Sequence, residues 1–278
     1  MTTLVNNVKT VVLLGAMVGI FVAAGGMIGK QFVIPFLFMG LLMNVGAWLF
    51  SDRIAIAAMR GRELDATSGG ELYRMVDELR QRAGLPMPKV YICPHQAPNA
   101  FATGRSPRKA AVAVTQGAMD LLDREEMAGV MAHELAHVKN RDTLTSTIAA
   151  TIAGVLAMVA QWGLFLGLGS NRNANPLIAI VVVIIAAVGA ALVKAAISRS
   201  REFVADADGA RIAGSPDGLI SALSKLDALS RRVPLQQPNP AMNNMFIIEP
   251  LAGNRTLTNL FATHPPTERR VAALRQLG

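Results

Sequence analysis

The chain has 278 residues, 52% of them hydrophobic and 17% charged, with a mean hydropathy of +0.38; a soluble domain normally carries about 25% charged residues, so an ordinary water-soluble globule is a poor fit. The net charge of +8 comes with no nucleic-acid-binding motif, which argues against a nucleic-acid partner and makes the charge a topology and lipid-headgroup signal. A single cysteine, Cys93, excludes an internal disulfide and agrees with a reducing cytosolic face.

In chain order, residues 10–29 and 32–50 contain no ionisable group, and each is close to the roughly 20 residues a helix needs to cross a bilayer. The first reads as a retained anchor, because no clear A-x-A cleavage site follows it and the second begins almost at once. SDRIAIAAMRGREL then reads as a short basic connector. Helical periodicity follows over 69–85, with Leu72, Met75, Val76 and Leu79 on one face and Pro86 and Pro88 as the stop. PKVYICP (88–94), NAFATG (99–104) and KAAVAVTQG (109–117) read as three short strands separated by Pro and Gly turns. Asp123 as N-cap, with Glu126 three residues on, opens a helix running through VMAHELAHVKNRD (130–142). Two further apolar segments follow, 148–169 and 177–197, the second with only Lys194 near its end; buried core helices are the competing reading, strongest for 148–169 with its Gln161. SRSREFVADADGARIAG (198–214) reads as a helix. Residues 231–259, rich in Pro and Asn, read as a lid or mobile loop, and Thr267 to Glu268 opens a last helix.

The fold class expected is α+β: a mainly helical membrane protein with four transmembrane helices and a cytosolic domain around a small β-sheet. Residues 1–50 hold the first two spans and 51–147 the first cytosolic part, with the HELAH helix. Residues 148–197 form a hairpin of spans and 198–278 the second cytosolic part. The short connections 30–31 and 170–176 carry only Lys30 and Arg172, whereas 51–147 and 198–278 carry 13 and 10 basic residues. The positive-inside rule therefore puts both long segments and both termini in the cytosol.

His133 and His137 stand four apart, on one helical face, where two imidazoles reach one Zn²⁺ at about 2.0–2.1 Å. Glu134 lies about 100° round the helix, placed to act as general base towards a water that the metal activates. Such a site needs a third protein ligand. The metzincin pattern fails, since Asn140 and Thr143 stand where it requires Gly and His. Glu202 is the candidate instead, with Asp206 one turn further to accept the other ring N–H of a ligand histidine. A salt bridge from Glu202 to Lys194, Arg199 or Arg201 is the competing reading. A hairpin of spans between the two helices sets both ligand groups side by side at the membrane surface.

These residues resemble the HtpX family of membrane metalloproteases, relatives of the CaaX prenyl proteases. The resemblance is carried by HELAHVKNRD (133–142), SRSREFVADADGA (198–210), NAFATG (99–104) and THPPTERR (263–270), in order with the four apolar segments. It implies a gluzincin-like zinc protease domain made of the two cytosolic parts, 51–147 and 198–278, with one Zn²⁺ per chain held by His133, His137 and Glu202 and with Glu134 catalytic. It also implies an edge strand at Asn99, Ala100, Phe101 and Ala102 that pairs with substrate backbone, a mode suited to extended chains of little side-chain preference. His264 matches a family histidine that donates to the oxyanion, or is an exposed histidine ahead of a helix cap. Asp142 matches a family position supporting the HELAH helix, or forms a surface ion pair. His95 matches no motif and reads as a loop residue.

The function expected is a zinc endopeptidase of a bacterial inner (plasma) membrane, multi-pass, with its site in the cytosol. It would cut misfolded or damaged membrane proteins and unfolded chains in quality control and stress response, alongside quality-control partners. Two alternatives stand beside it: a prenyl-protein-type processing protease, and a non-catalytic membrane scaffold or chaperone stabilised by zinc. Substrate identity, oligomeric state and self-cleavage are not written in the sequence.

Overall fold

The computed structural model of the protein describes residues 2–145, 199–230 and 265–277. The expected spans at 148–169 and 177–197, the loop at 231–259 and His264 lie outside the described residues.

The chain opens with two helices, α1 (Thr2–Ile28) and α2 (Val33–Leu49), joined by a single 3-10 turn at Lys30–Phe32. They pack antiparallel: Phe21 and Phe36 stack with ring centroids 6.5 Å apart, and Asn44 Nδ2 donates to the Leu14 carbonyl at 2.8 Å. The outward faces are apolar, with Val11, Ile34, Phe38 and Leu42 all exposed. Among the described residues no helix is long and apolar enough to cross a membrane, so the four expected crossings stay an expectation.

The expected connector is instead helical, as α3 (Ser51–Ala58). It lies across a four-stranded mixed sheet: β1 (Arg62–Leu64), β2 (Lys89–Cys93), β3 (Ala100–Gly104) and β4 (Ala110–Thr115), in the order β1-β2-β4-β3. β1 and β2 pair antiparallel, β2 and β4 parallel, β3 and β4 antiparallel. Three of these strands coincide with the expected ones; β1, only three residues long, is too short to carry an alternating pattern. Every residue of β4 is buried, because both faces of the sheet are covered. Small residues face α3, where Ala111 and Ala113 pack with Cys93 and Phe101 against Ala55, Ile56 and Met59. Larger residues, Val90, Val112 and Val114, join the main core on the other side.

That core is built from the remaining helices: α4 (Gly70–Ala83), α5 (Gln116–Leu121), α6 (Arg124–Asn140), α7 (Arg199–Ala213), α8 (Asp217–Ser230) and α9 (Thr267–Leu274). Leu72, Met75, Val76 and Leu79 form the buried stripe of α4, as their spacing predicts. α6 begins with the expected capping box: Asp123 Oδ1 accepts from Glu126 N–H and Glu126 Oε2 from Asp123 N–H, both at 3.0 Å. Glu126 also accepts from Ser221 Oγ and Lys225 Nζ, at 2.5 and 2.7 Å, which ties the start of α6 to α8. The described part is thus mainly helical with one small mixed sheet, and α6 runs through its centre.

Candidate metal centre

From Val130 to Ala136 every residue of α6 is buried. A helix covered on all sides shows no amphipathic stripe, and polar groups inside it must find partners within the protein. His133 and His137 lie one turn apart with their rings edge to face, centroids 4.6 Å apart. Their Nε2 atoms face each other at 3.1 Å. Glu202, from the first turn of α7, brings Oε2 to 3.7 Å from His133 Nε2 and Oε1 to 3.5 Å from His137 Nε2. One donor atom from each of these three residues lies within 4.8 Å of the others. Two bonds of about 2.05 Å at a tetrahedral angle hold two nitrogens about 3.3 Å apart. The donor set, two imidazoles and one carboxylate, therefore fits Zn²⁺ in both chemistry and spacing.

Each imidazole turns its Nε2 to this centre and its Nδ1 to a carboxylate. His133 Nδ1 lies 3.0 Å from Asp206 Oδ1, and His137 Nδ1 lies 3.1 Å from Asp142 Oδ2. Behind each carboxylate stands a buried arginine. Arg270 grips Asp206 through two hydrogen bonds, Nε to Oδ2 at 2.9 Å and Nη2 to Oδ1 at 2.7 Å. Arg201 Nη1 reaches Asp142 Oδ1 at 3.4 Å. Arg270 Nη1 also lies 3.6 Å from Glu202 Oε2. Glu202 thus turns to the two histidines and Arg270.

α7 reaches α6 this closely because residue 209 is glycine. A Cβ there would come within 2.9 Å of both N and Cα of His133. The absent side chain lets the helix carrying Glu202 and Asp206 rest on the His133 backbone.

The charges act in concert. Burial on its own would lower the pKa of His137, but the Asp142 hydrogen bond and the carboxylates of Glu202 and Glu134 outweigh it and raise it to about 9. Burial raises the Glu134 carboxyl above its ordinary range, against the lowering effect of the two histidines and of a hydrogen bond from the Ala102 backbone. Burial likewise works to raise Asp206, but Arg270 and His133 hold it down at about 2, so it stays ionised.

Asn99, Ala100, Phe101 and Ala102 lie at β3 and the step before it, against α6, with β3 at the sheet edge. Phe101 is buried on the α3 side of the sheet. His95 stands apart from the cluster, its Nε2 3.1 Å from the Met59 carbonyl. Sequence reasoning assigned no role to Arg270 or Gly209, and gave Arg201 only as a salt-bridge partner for Glu202. Only Arg270 left a signal: it lies four residues before Leu274, on the buried face of α9.

Comparison with known proteins follows the same outline. Residues 66–277 match peptidase family M48. A protease HtpX homolog of Desulfatibacillum aliphaticivorans is 50% identical over 277 residues, covering 97% of this chain and 89% of its own. Those of Pelotomaculum thermopropionicum and Paraburkholderia phytofirmans are each 46% identical, covering 97% and 98% of this chain and 98% and 97% of theirs. The crystal structure of S. mikatae Ste24p superposes with a TM-score of 0.53 at 17% identity, over 98% of this chain. The present chain spans 66% of that longer one, and at this identity the likeness concerns the fold alone.

Proposed function

The chain belongs to peptidase family M48 and is a zinc metalloprotease, and from that premise we propose that it is a membrane-anchored endopeptidase of the HtpX type. Its substrates in this reading are extended segments of misfolded or damaged membrane proteins, cut at the cytosolic surface. The observation that carries the site assignment is the pair of Nε2 atoms 3.1 Å apart, with the Glu202 carboxylate at 3.5 and 3.7 Å.

His133, His137 and Glu202 are the proposed ligands. The bound zinc would polarise the scissile carbonyl and make water a better nucleophile. Glu134, buried beside the histidines, takes the proton of the attacking water and returns it to the leaving amine. Its raised pKa suits a group that must both accept and release a proton. Asp206 and Asp142 hold each imidazole in the tautomer that turns Nε2 inward. Ala100 and Ala102 offer edge-strand backbone to the substrate, with Asn99 and Phe101 supporting them through β4. The two protease parts, 51–147 and 198–278, each contribute ligands to this centre.

The membrane reading is supported by the surface of the α1–α2 hairpin. The hairpin does not satisfy the combined length and apolarity requirement for a span, yet α1 has 27 residues and 10–28 contain no ionisable group. Its surface carries the reading: Val11, Ile34, Phe38 and Leu42, exposed by 64–70%, would each face water at a cost of about 25 cal/mol per Å². Lipid removes that cost. Segments 148–169 and 177–197 would add a second hairpin, with the basic segments facing the cytosol. The prenyl-type alternative gains no support from a 17% likeness in fold, and a scaffold with structural zinc would have no use for Glu134.

Purified protein in detergent, given an unfolded casein-like substrate, tests the proposal. Wild type should carry one zinc and cleave, while Glu134→Gln should carry the same zinc and not cleave. Zinc in both proteins with no cleavage in either, over several unfolded substrates, would favour the scaffold.

A further inference from the structure

Along α2 the exposed side chains change character in one direction. Ile34, Phe38, Leu42 and Val45 stand outward on the helix, and at its end come Trp48 and Phe50, exposed by 43% and 47%. Arg53 follows, exposed on α3. Apolar, then aromatic, then cationic is the order met on leaving a bilayer core through its interface to the headgroups.

A distant part of the sequence meets the same point. The Arg105 guanidinium carbon lies 4.7 Å from the centroid of the Trp48 ring, a cation–π contact. Arg105 Nη1 is enclosed and has no hydrogen-bond partner, so stacking on Trp48 is what places this group. Arg53 makes a longer contact of the same kind, 6.0 Å from the Phe50 ring. Arg105 opens the turn between β3 and β4, and that turn is held in shape. Gly104 pairs with Ala110 at its base, and Lys109 N–H donates to the Ser106 carbonyl at 2.9 Å over the 3-10 turn Pro107–Lys109. Arg108 and Lys109 stand exposed on it. Residues 94–119 contain no Asp or Glu, and Asp52 is the only acidic residue among 1–62. The surface is cationic, with little in its own sequence to neutralise it.

We propose that the end of α2 and the β3–β4 turn form a binding surface for an anionic phospholipid headgroup of the cytosolic leaflet. This rests on the membrane reading above. Trp48 and Phe50 lie at the interface, Arg105 clamps the turn to that level, and the exposed Arg53, Arg108 and Lys109 meet the phosphate. The surface selects anionic lipid because a zwitterionic headgroup carries a phosphate already balanced by its own cation. β3 leads into this turn and packs against α6, so the headgroup contact also fixes how high the histidines of α6 stand above the bilayer.

The test uses the full chain with Trp162→Phe, which leaves Trp48 as its only tryptophan, in phosphatidylcholine vesicles. Headgroup-spin-labelled phosphatidylglycerol or phosphatidylcholine is titrated in, and quenching of Trp48 fluorescence is read. The anionic lipid should reach half-maximal quenching at a mole fraction lower by about fivefold or more. Arg108→Gln should raise that mole fraction about fivefold, and Arg108→Gln with Lys109→Gln further, as about 1 kcal/mol per Lys or Arg beside an anionic surface implies. Arg124→Gln, which removes an exposed cation at the start of α6, should change nothing. Counting of bound lipid by native mass spectrometry repeats the comparison on wild type, without any substitution. Equal binding of the two lipids, or an equal loss in Arg124→Gln, overturns the proposal. Displacement by millimolar glycerol phosphate overturns the choice of a lipid over a soluble phosphate. Protein that does not float with the vesicles sinks the membrane reading itself.

Discussion

The rings of His133 and His137 have little freedom left. Each faces a carboxylate with Nδ1, at 3.0 Å for His133 and 3.1 Å for His137, and each carboxylate meets a buried arginine. Changing such an outer partner typically lowers metal affinity 10–100-fold, and Asp206→Asn is expected to fall in that range by chelator competition. Glu134→Gln should instead keep its zinc while kcat falls by roughly 10² to 10⁴, the usual contribution of a positioned acid–base group. Arg270 is fully buried and paired, so Arg270→Met leaves Asp206 uncompensated; a loss of about 3–5 kcal/mol is expected in denaturant unfolding. Sequence spacing points to the two histidines and Glu134, because i to i+4 is a local relation that a helix converts directly into contact; Glu202, far along the chain, is a candidate by elimination and by the family resemblance. Arg270 meets Asp206 across 64 positions, and only the packing of α9 on α7 brings them together. No local pattern encodes that meeting.

At the scale of elements, α6 depends on what touches it. Gly209 allows α7 to rest on the His133 backbone, and Gly209→Ala should push the two helices apart at a cost of about 1–3 kcal/mol. Zinc affinity should fall with stability in that variant, since Glu202 rides on the displaced helix; calorimetric zinc titration checks this. At the other end of α6, burial works to raise the Glu126 pKa, but Lys225, Ser221 and the Asp123 N–H outweigh it and keep it below its ordinary value. A depressed carboxyl stabilises the fold above its unfolded-state pKa, and that contribution fades as pH falls through the lower folded value. Tm should therefore drop on the acid side below about pH 5, and Glu126→Gln should lower Tm at neutral pH and flatten that acid-side drop. The capping box was legible beforehand because Asp123 and Glu126 stand three apart. α3 was not: SDRIAIAA reads as a basic linker until the small-residue face of the sheet, Ala111 and Ala113, supplies a surface for Ala55 and Ile56.

At the scale of the whole molecule, the metal and the fold support each other. A ligand that binds only the folded chain stabilises it by about 4 kcal/mol at a thousandfold excess over its Kd. Chelation of wild type should thus lower Tm by several degrees, and Glu202→Ala should show the lower Tm with or without added zinc. The three proposed ligands come from α6 and α7, which residues 146–198 separate in the chain. A ribosome adding about 5–20 residues per second makes His137 some seconds before it reaches Glu202. Throughout that interval the emerging polypeptide carries two histidines and a glutamate base but no third ligand, so it cannot yet hold a competent zinc. The split site thereby sets an order: a nascent chain has no complete ligand set of its own until synthesis has passed Glu202.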